Sequence, residues 1–245
     1  MLLSNSTGNM NSLEVIGVLI DEMTEVVCAT SDGLRLVGTD PYAEDLFGRM
    51  DEELSHATPH EVEVIAMNGL IALVESRGPK SSLREDPQSG FETKASQVLQ
   101  AGCTHSGRRA TDEEALQGYQ SFKRYLKDHQ SYPRHKTPSK ADLGDGAFDE
   151  EAAAIDYAKA LRGAGVHRAI FYTKDGHLGL GPECNQPGDV LAILYGCQWP
   201  VVMRPLPMPG DYTFLECAYV YGIMDGEAIR VHQELGREDD RFRII

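Results

Sequence analysis

Apolar positions change their spacing near residue 166 of this 245-residue chain. Downstream, over residues 167–227, short apolar runs alternate with the dipeptides Asp175-Gly176, Gly181-Pro182, Pro187-Gly188, Pro209-Gly210 and Asp225-Gly226. That is the sequence form of strands joined by tight turns. Upstream, residues 13–20 (LEVIGVLI) are apolar and branched, which predicts a buried strand ending at Asp21. Residues 26–29 and 34–37 can pair with it around the turn signal Ser31-Asp32-Gly33. Helical spacing then takes over. Residues 41–54 carry Tyr42, Leu46, Phe47, Met50 and Leu54 behind Pro41, and residues 58–75 open on a Thr58/Glu61 capping box before a long apolar helix. A short helix is predicted over 91–100. Thr111 and Glu114 form a second capping box for a helix over 111–130, whose apolar face is Leu116, Tyr119, Phe122, Tyr125 and Leu126. A last helix covers 149–162, with Ala152, Ala153, Ile155, Ala158 and Leu161 inward and Gly163 as its stop.

Residues 77–90 and 131–146 are dense in Gly, Pro, Ser and charge and read as loops. The expected fold class is therefore α+β. A flexible leader (1–12) precedes a mainly helical region with a leading strand (13–165). The helical half packs on a small antiparallel β-barrel of the SH3-like type (166–230), and residues 231–245 form a tail. There is no strand-helix alternation of a doubly wound sheet and no internal repeat.

Charge and cysteines narrow the function classes. A formal charge of −15 argues against nucleic acid and anionic membrane as partners, because both are bound through clustered Lys and Arg. No window reaches the roughly 18–20 apolar residues of a membrane span. The N-terminal residues lack the basic start of a secretory signal. Five cysteines, Cys28, Cys103, Cys184, Cys197 and Cys217, include no CxxC pair, so neither a disulfide framework nor a zinc site is expected. Nor do His56 and His60, four apart but at or before a helix start, make a metal pair. The expectation is a cytoplasmic protein with reduced thiols, without metal or cofactor.

The residues with chemistry to offer lie in the β-rich segment. Glycines 176, 179 and 181 are spaced closely enough to suggest a phosphate cradle, but Pro182 and Pro187 stand where such a loop needs a helix, so a hairpin accounts for them. Asp189 follows Pro187-Gly188 and suits a turn carboxylate accepting backbone N–H groups. Cys197 or Cys217 with His177 as base and Asp189 as orienter would follow nucleophile logic. A buried thiol serving as a small hydrophobe is the commoner arrangement. Arg204 could hold an anion bidentately, or pair with Glu216 or Asp225 to close the barrel. Asp225 and Glu227 flank Gly226 as paired carboxylates or as a strand-ending turn. An enzyme built on this chain would use His177, Asp189, Arg204, Tyr219 and Glu227 around a pocket between barrel and helices.

Several of these stretches recur as a set. Phe171-Tyr172-Thr173, the glycine run 176–182, Gln186-Pro187-Gly188-Asp189-Val190, Leu194-Tyr195-Gly196, residues 200–205 (PVVMRP) and residues 218–227 (AYVYGIMDGE) together resemble the C-terminal region of fungal heterokaryon incompatibility (HET-domain) proteins. Residues 13–23 look like the strand that follows the HET domain in that family. The aromatic-basic helix that the resemblance places near 91–99 reads FETKASQVL here, a departure. The HET domain itself, N-terminal in the family and similar in fold to TIR-type signalling domains, has no counterpart, and the chain is expected to start just after it. The resemblance implies a non-catalytic recognition or regulatory module in fungal nonself recognition and programmed cell death. Its partner would be another protein or the parent HET-family protein. The alternative is a small-molecule-processing enzyme using the pocket named above.

Overall fold

In a computed structural model of the chain, which describes residues 12–30, 33–37, 71, 87–129, 149–165 and 167–245, helices and strands are segregated along the sequence as an α+β fold. The helices expected at 41–54 and 58–75 (apart from the helical Ile71) and the loop at 131–146 lie outside the described residues. So does the loop at 77–90 up to residue 86, after which helix begins. The chain divides into two compact units, one holding residues up to Val26 and from His167 onward, the other holding 27–36 and the helices that precede His167.

The helical unit contains α1 (Pro87–Leu99), α2 (Asp112–His129) and α3 (Glu150–Gly165). Pro87 opens α1 four residues before the expected start, a position where its missing N–H costs nothing. The capping box of α2 forms as the sequence predicts. Glu114 N–H donates to Thr111 Oγ1 at 3.2 Å, and Thr111 N–H donates to Glu114 Oε2 at 2.9 Å. Arg108 then grips both oxygens of Glu114, at 3.1 and 2.6 Å. The buried face of α2 is Ala115, Tyr119, Phe122 and Leu126, spaced four, three and four apart, so Leu116 and Tyr125 sit half-buried at its margin. Tyr157 of α3 meets Tyr119 and Phe122, with ring centroids 5.9 and 5.8 Å away, and donates its hydroxyl to Ser96 C=O of α1 at 2.9 Å. This ring explains a glycine inside α2: a Cβ on Gly118 would lie 3.0 Å from Tyr157 Cδ2. Asp149 caps α3 through the N–H groups of Glu151 and Ala152. The helix passes through Gly163 and ends at Gly165.

Among the described residues nine strands form the sheet: β1 (Leu13–Thr30), β2 (Gly33–Val37), β3 (Arg168–Thr173), β4 (Leu178–Pro182), β5 (Val190–Leu194), β6 (Val201–Pro205), β7 (Asp211–Cys217), β8 (Tyr219–Val220) and β9 (Asp240–Ile244). Their order is β5-β6-β7-β9-β1-β3-β4-β8, with β2 also on β1 and β5 also on β1. The second β5 pairing makes β1, β5, β6, β7 and β9 a closed circuit, parallel between β7 and β9 and antiparallel elsewhere. Inside it pack Val190, Ala192, Leu194, Val201, Met203 and Phe242. Alternate residues of β5, Leu191 and Ile193, are buried as well, so that strand is covered on both faces.

Two expectations change here. Residues 231–245, read as a tail, complete α4 (Glu227–Glu234) and supply β9, whose Phe242 is 2% exposed in the core. Three charges in DRFRI hide that strand, whose core side carries the apolar Phe242 and Ile244 beside Asp240. Likewise Asp21 does not end β1. It sits at a register shift in the β1–β5 pairing, where its carboxylate accepts the N–H groups of Glu22 (2.8 Å) and Asp175 (2.7 Å). Beyond the shift β1 runs on as the neighbour of β3.

The glycine run is a hairpin. Tyr172 pairs with Leu178 and Arg168 with Pro182, across a turn where Gly176 has φ 85°. Gly179 lies under the Phe171 ring, and a Cβ there would come 2.3 Å from Cζ. Gly179→Ala is therefore expected to lower stability by about 1–3 kcal/mol through overpacking, measured by denaturant unfolding. In the helical unit, Arg108 first and the Thr111 N–H second hold the Glu114 carboxyl at about 2, below its ordinary 4.5. A depressed acid stabilises the folded state above its unfolded pKa and loses that contribution as pH falls through the folded value. The stability advantage of the native protein over Glu114→Gln should thus be present at neutral pH and vanish between pH 4.5 and about 2 in an acid unfolding series.

Candidate functional site

A four-residue turn builds a polar cluster in the sheet unit. Gln186-Pro187-Gly188-Asp189 closes with Asp189 N–H on Gln186 C=O (3.1 Å) and Gly188 at φ 91°. Its backbone is tied to β1 in both directions: Gly188 N–H donates to Met23 C=O at 2.9 Å, and Met23 N–H donates to Asp189 C=O at 2.8 Å. The Asp189 side chain is buried, and Gln186 N–H donates to its Oδ2 at 2.8 Å. Because Val190 pairs with Met203 across β5 and β6, the next register position brings Arg204 beside Asp189. The guanidinium closes a fork: Nε on Oδ1 at 2.8 Å and Nη2 on Oδ2 at 2.9 Å, with Nη2 also donating to Cys184 C=O at 2.7 Å. Hydrogen bonding to Asp189 raises the Arg204 pKa further, so the cation is permanent.

This geometry replaces the expected partner. Arg204 pairs with Asp189, not with Glu216 or Asp225, because register neighbours meet before distant strand ends do. Glu216 instead takes Arg168, at 2.7 Å from Nη2, while Arg168 Nη1 donates to Cys217 C=O. Both Asp189 oxygens are committed, as an orienter of Arg204 and an acceptor in its own turn. A general base needs an oxygen aimed at substrate. Asp189 has the bonds of a structural carboxylate.

The other candidates are dispersed. His177 is a turn residue whose N–H donates to Thr173 Oγ1 (3.0 Å) and whose C=O accepts the Thr173 N–H (3.1 Å). Tyr219 stands in β8 opposite Leu180. Glu227 opens α4, its Oε2 accepting the Asp225 N–H at 2.7 Å, which is the strand-ending turn. Of the five, Asp189 and Arg204 are bonded to each other. Cys217 is half-buried against the sheet core, and burial pushes its thiol pKa up, opposite to the activation a nucleophile needs. Cys103, Cys184, Cys197 and Cys217 are free thiols. Among the described residues no group of three or more His, Cys, Asp and Glu could hold a metal ion, and no helix is long and apolar enough to cross a membrane.

Three features escaped the sequence reading. His232 is buried in α4, 3.3 Å from Asp239, which accepts the Tyr195 hydroxyl at 2.6 Å. A cleft of about 320 Å³ in the sheet unit is lined by Glu14, Pro209, Gly210, Asp211, Arg241 and Arg243 among others. A smaller cleft, about 190 Å³ in the helical unit, lies between Arg108, Glu114, Gln117, Asp156 and Tyr157. None of the five candidates lines either. No local pattern marks these places, since each joins residues from separate elements.

Comparison with known proteins assigns the chain. The sequence profile of the Het-6 beta-barrel domain matches residues 95–239. This chain belongs to that family. It is also 33% identical over 132 residues to heterokaryon incompatibility protein 6, OR allele, of Neurospora crassa. That alignment covers 49% of the chain and 19% of the Neurospora protein, so the chain spans well under two thirds of its relative. No solved structure matches it. The Het-6 segment starts within α1 and stops at Asp239, so it contains the Asp189–Arg204 lock, while β1 and β9 lie outside it.

Arg204→Met should strand the buried Asp189 carboxylate and lower stability by about 3–5 kcal/mol. Asp189→Asn, which keeps an acceptor for Gln186 N–H, should cost less. Equilibrium unfolding in denaturant ranks the two.

Proposed function

We propose that this Het-6 chain is a non-catalytic recognition or regulatory module of the heterokaryon incompatibility kind. It acts in the cytoplasm of a fungal cell, in nonself recognition leading to programmed cell death. Its partner is another protein or a HET-family parent protein, and the closed strand circuit is read as a small SH3-like barrel. The observation that carries this reading is the Asp189–Arg204 fork. The pair best suited to chemistry spends its hydrogen-bonding capacity on β1, the 184–189 loop and itself. A filled interior, with Met203 and Phe242 in the core, favours a binding surface over an internal ligand chamber. The turns after β5 and β6 expose Trp199 and Met208, anchors suited to a protein partner, and the acidic chain disfavours nucleic acid.

The purified chain incubated with NAD, the substrate that a TIR-like activity would consume, should leave it intact by chromatography over hours. Turnover that disappears in His177→Ala or Asp189→Asn would replace the recognition reading with an enzymatic one.

A further inference from the structure

The seam between β7 and β9 is short. Pairing begins at Asp211↔Arg243 and ends at Tyr212↔Ile244. Arg243 N–H donates to Gly210 C=O at 2.8 Å, and Ile245 N–H to Tyr212 C=O at 2.9 Å. Alternate residues of a strand direct their backbone groups to the same side, so the N–H and C=O of Arg241 also face β7. There the ladder fails for local reasons. The Met208 C=O accepts the Asp211 N–H, and Gly210, at φ 85°, has left the extended conformation. On its other side Arg241 opposes Ile16, whose C=O accepts the Tyr195 N–H and so faces β5 instead. The backbone donor and acceptor of Arg241 thus lack a strand partner among the described residues, and Arg241 is one of the residues lining the cleft of about 320 Å³.

Side chains at the cleft have a matching imbalance. Arg243 is bound to Asp211 through Nε and Nη2, which neutralises both. The Arg241 guanidinium and the Glu14 carboxylate have no comparable partner among the described residues. Met208, beside Pro209, is 63% exposed.

We propose that this gap is a docking slot for an extended peptide segment of a partner protein, added antiparallel to β9 with an acidic residue opposite Arg241. This deepens the recognition reading and rests on it. An amide supplies both the acceptor and the donor that Arg241 lacks, whereas an inorganic anion supplies acceptors alone. The residue opposite Arg241 in such a pairing projects its side chain on the same face, so a carboxylate there meets the guanidinium. Its two neighbours project to the other face, the one on which Phe242 packs into the core, and are apolar. The selected pattern is apolar, acidic, apolar.

The test uses the full chain, ¹⁵N-labelled, and the peptide Ac-Thr-Val-Glu-Val-Thr-NH2. Binding should shift the Arg241 amide resonance and slow its hydrogen exchange. Affinity should fall about tenfold or more for Arg241→Ala, for the peptide N-methylated at Glu, and for the Glu→Gln peptide. Arg241 is exposed, so the variant retains the fold and its spectrum serves as the check. Failure to bind at millimolar peptide, binding indifferent to N-methylation, or protection at a site away from Arg241 overturns the proposal. Those results leave the recognition reading in place provided NAD is still untouched, whereas NAD turnover removes that reading whatever the peptide does.

Discussion

A buried carboxylate organises the sheet unit. Asp189 is 0% exposed, and removing a charge from water is tolerable only when every oxygen finds a donor. Gln186 N–H and Arg204 supply those donors, and the Asp189 C=O and Gly188 N–H bind Met23 from either side. A turn, the first strand and the sixth strand are therefore fixed relative to one another by a single residue. The β1–β5 contact that closes the strand circuit runs through Glu22↔Val190, next to this knot.

Close approach of backbones is the second constraint. A Cβ on Gly17 would lie 2.2 Å from Ile193 C=O, so β1 meets β5 at a distance only glycine allows there. Gly179 and Gly181 let the Phe171 ring lie flat across β4, and Gly118 does the same for Tyr157 in the helical unit. A fold of this size could bury more apolar area with larger residues at these places. It buries well-packed rings and short interstrand distances instead, which is worth more where the packing is already dense.

Local signals were legible where one short stretch sets its own geometry. The Thr111/Glu114 box, the α3 helix, the β3–β4 hairpin and the Pro-Gly-Asp turn all formed as their residues predict, because capping, periodicity and positive φ act over four to eight positions. The family was legible for the same reason, since its motifs are these turns and strands in fixed order. Boundaries were less legible. Asp21 looks like a strand end and is a bulge, and Gly163 looks like a helix stop and is passed over. In each case tertiary hydrogen bonds or packing extend the element beyond what local preference alone supports.

By itself the sequence determined the helical and β-rich halves, the turn residues, the acidic surface and membership in a heterokaryon incompatibility lineage. Tertiary structure alone decided which residues meet. It paired Arg204 with Asp189, turned 240–244 into the strand between β1 and β7, and left the backbone of Arg241 facing an open seam. The physical reason is that partner choice depends on strand register and chain closure over separations exceeding two hundred residues, as between Val15 and Phe242. A charged five-residue stretch carries no local mark of the neighbour it will have.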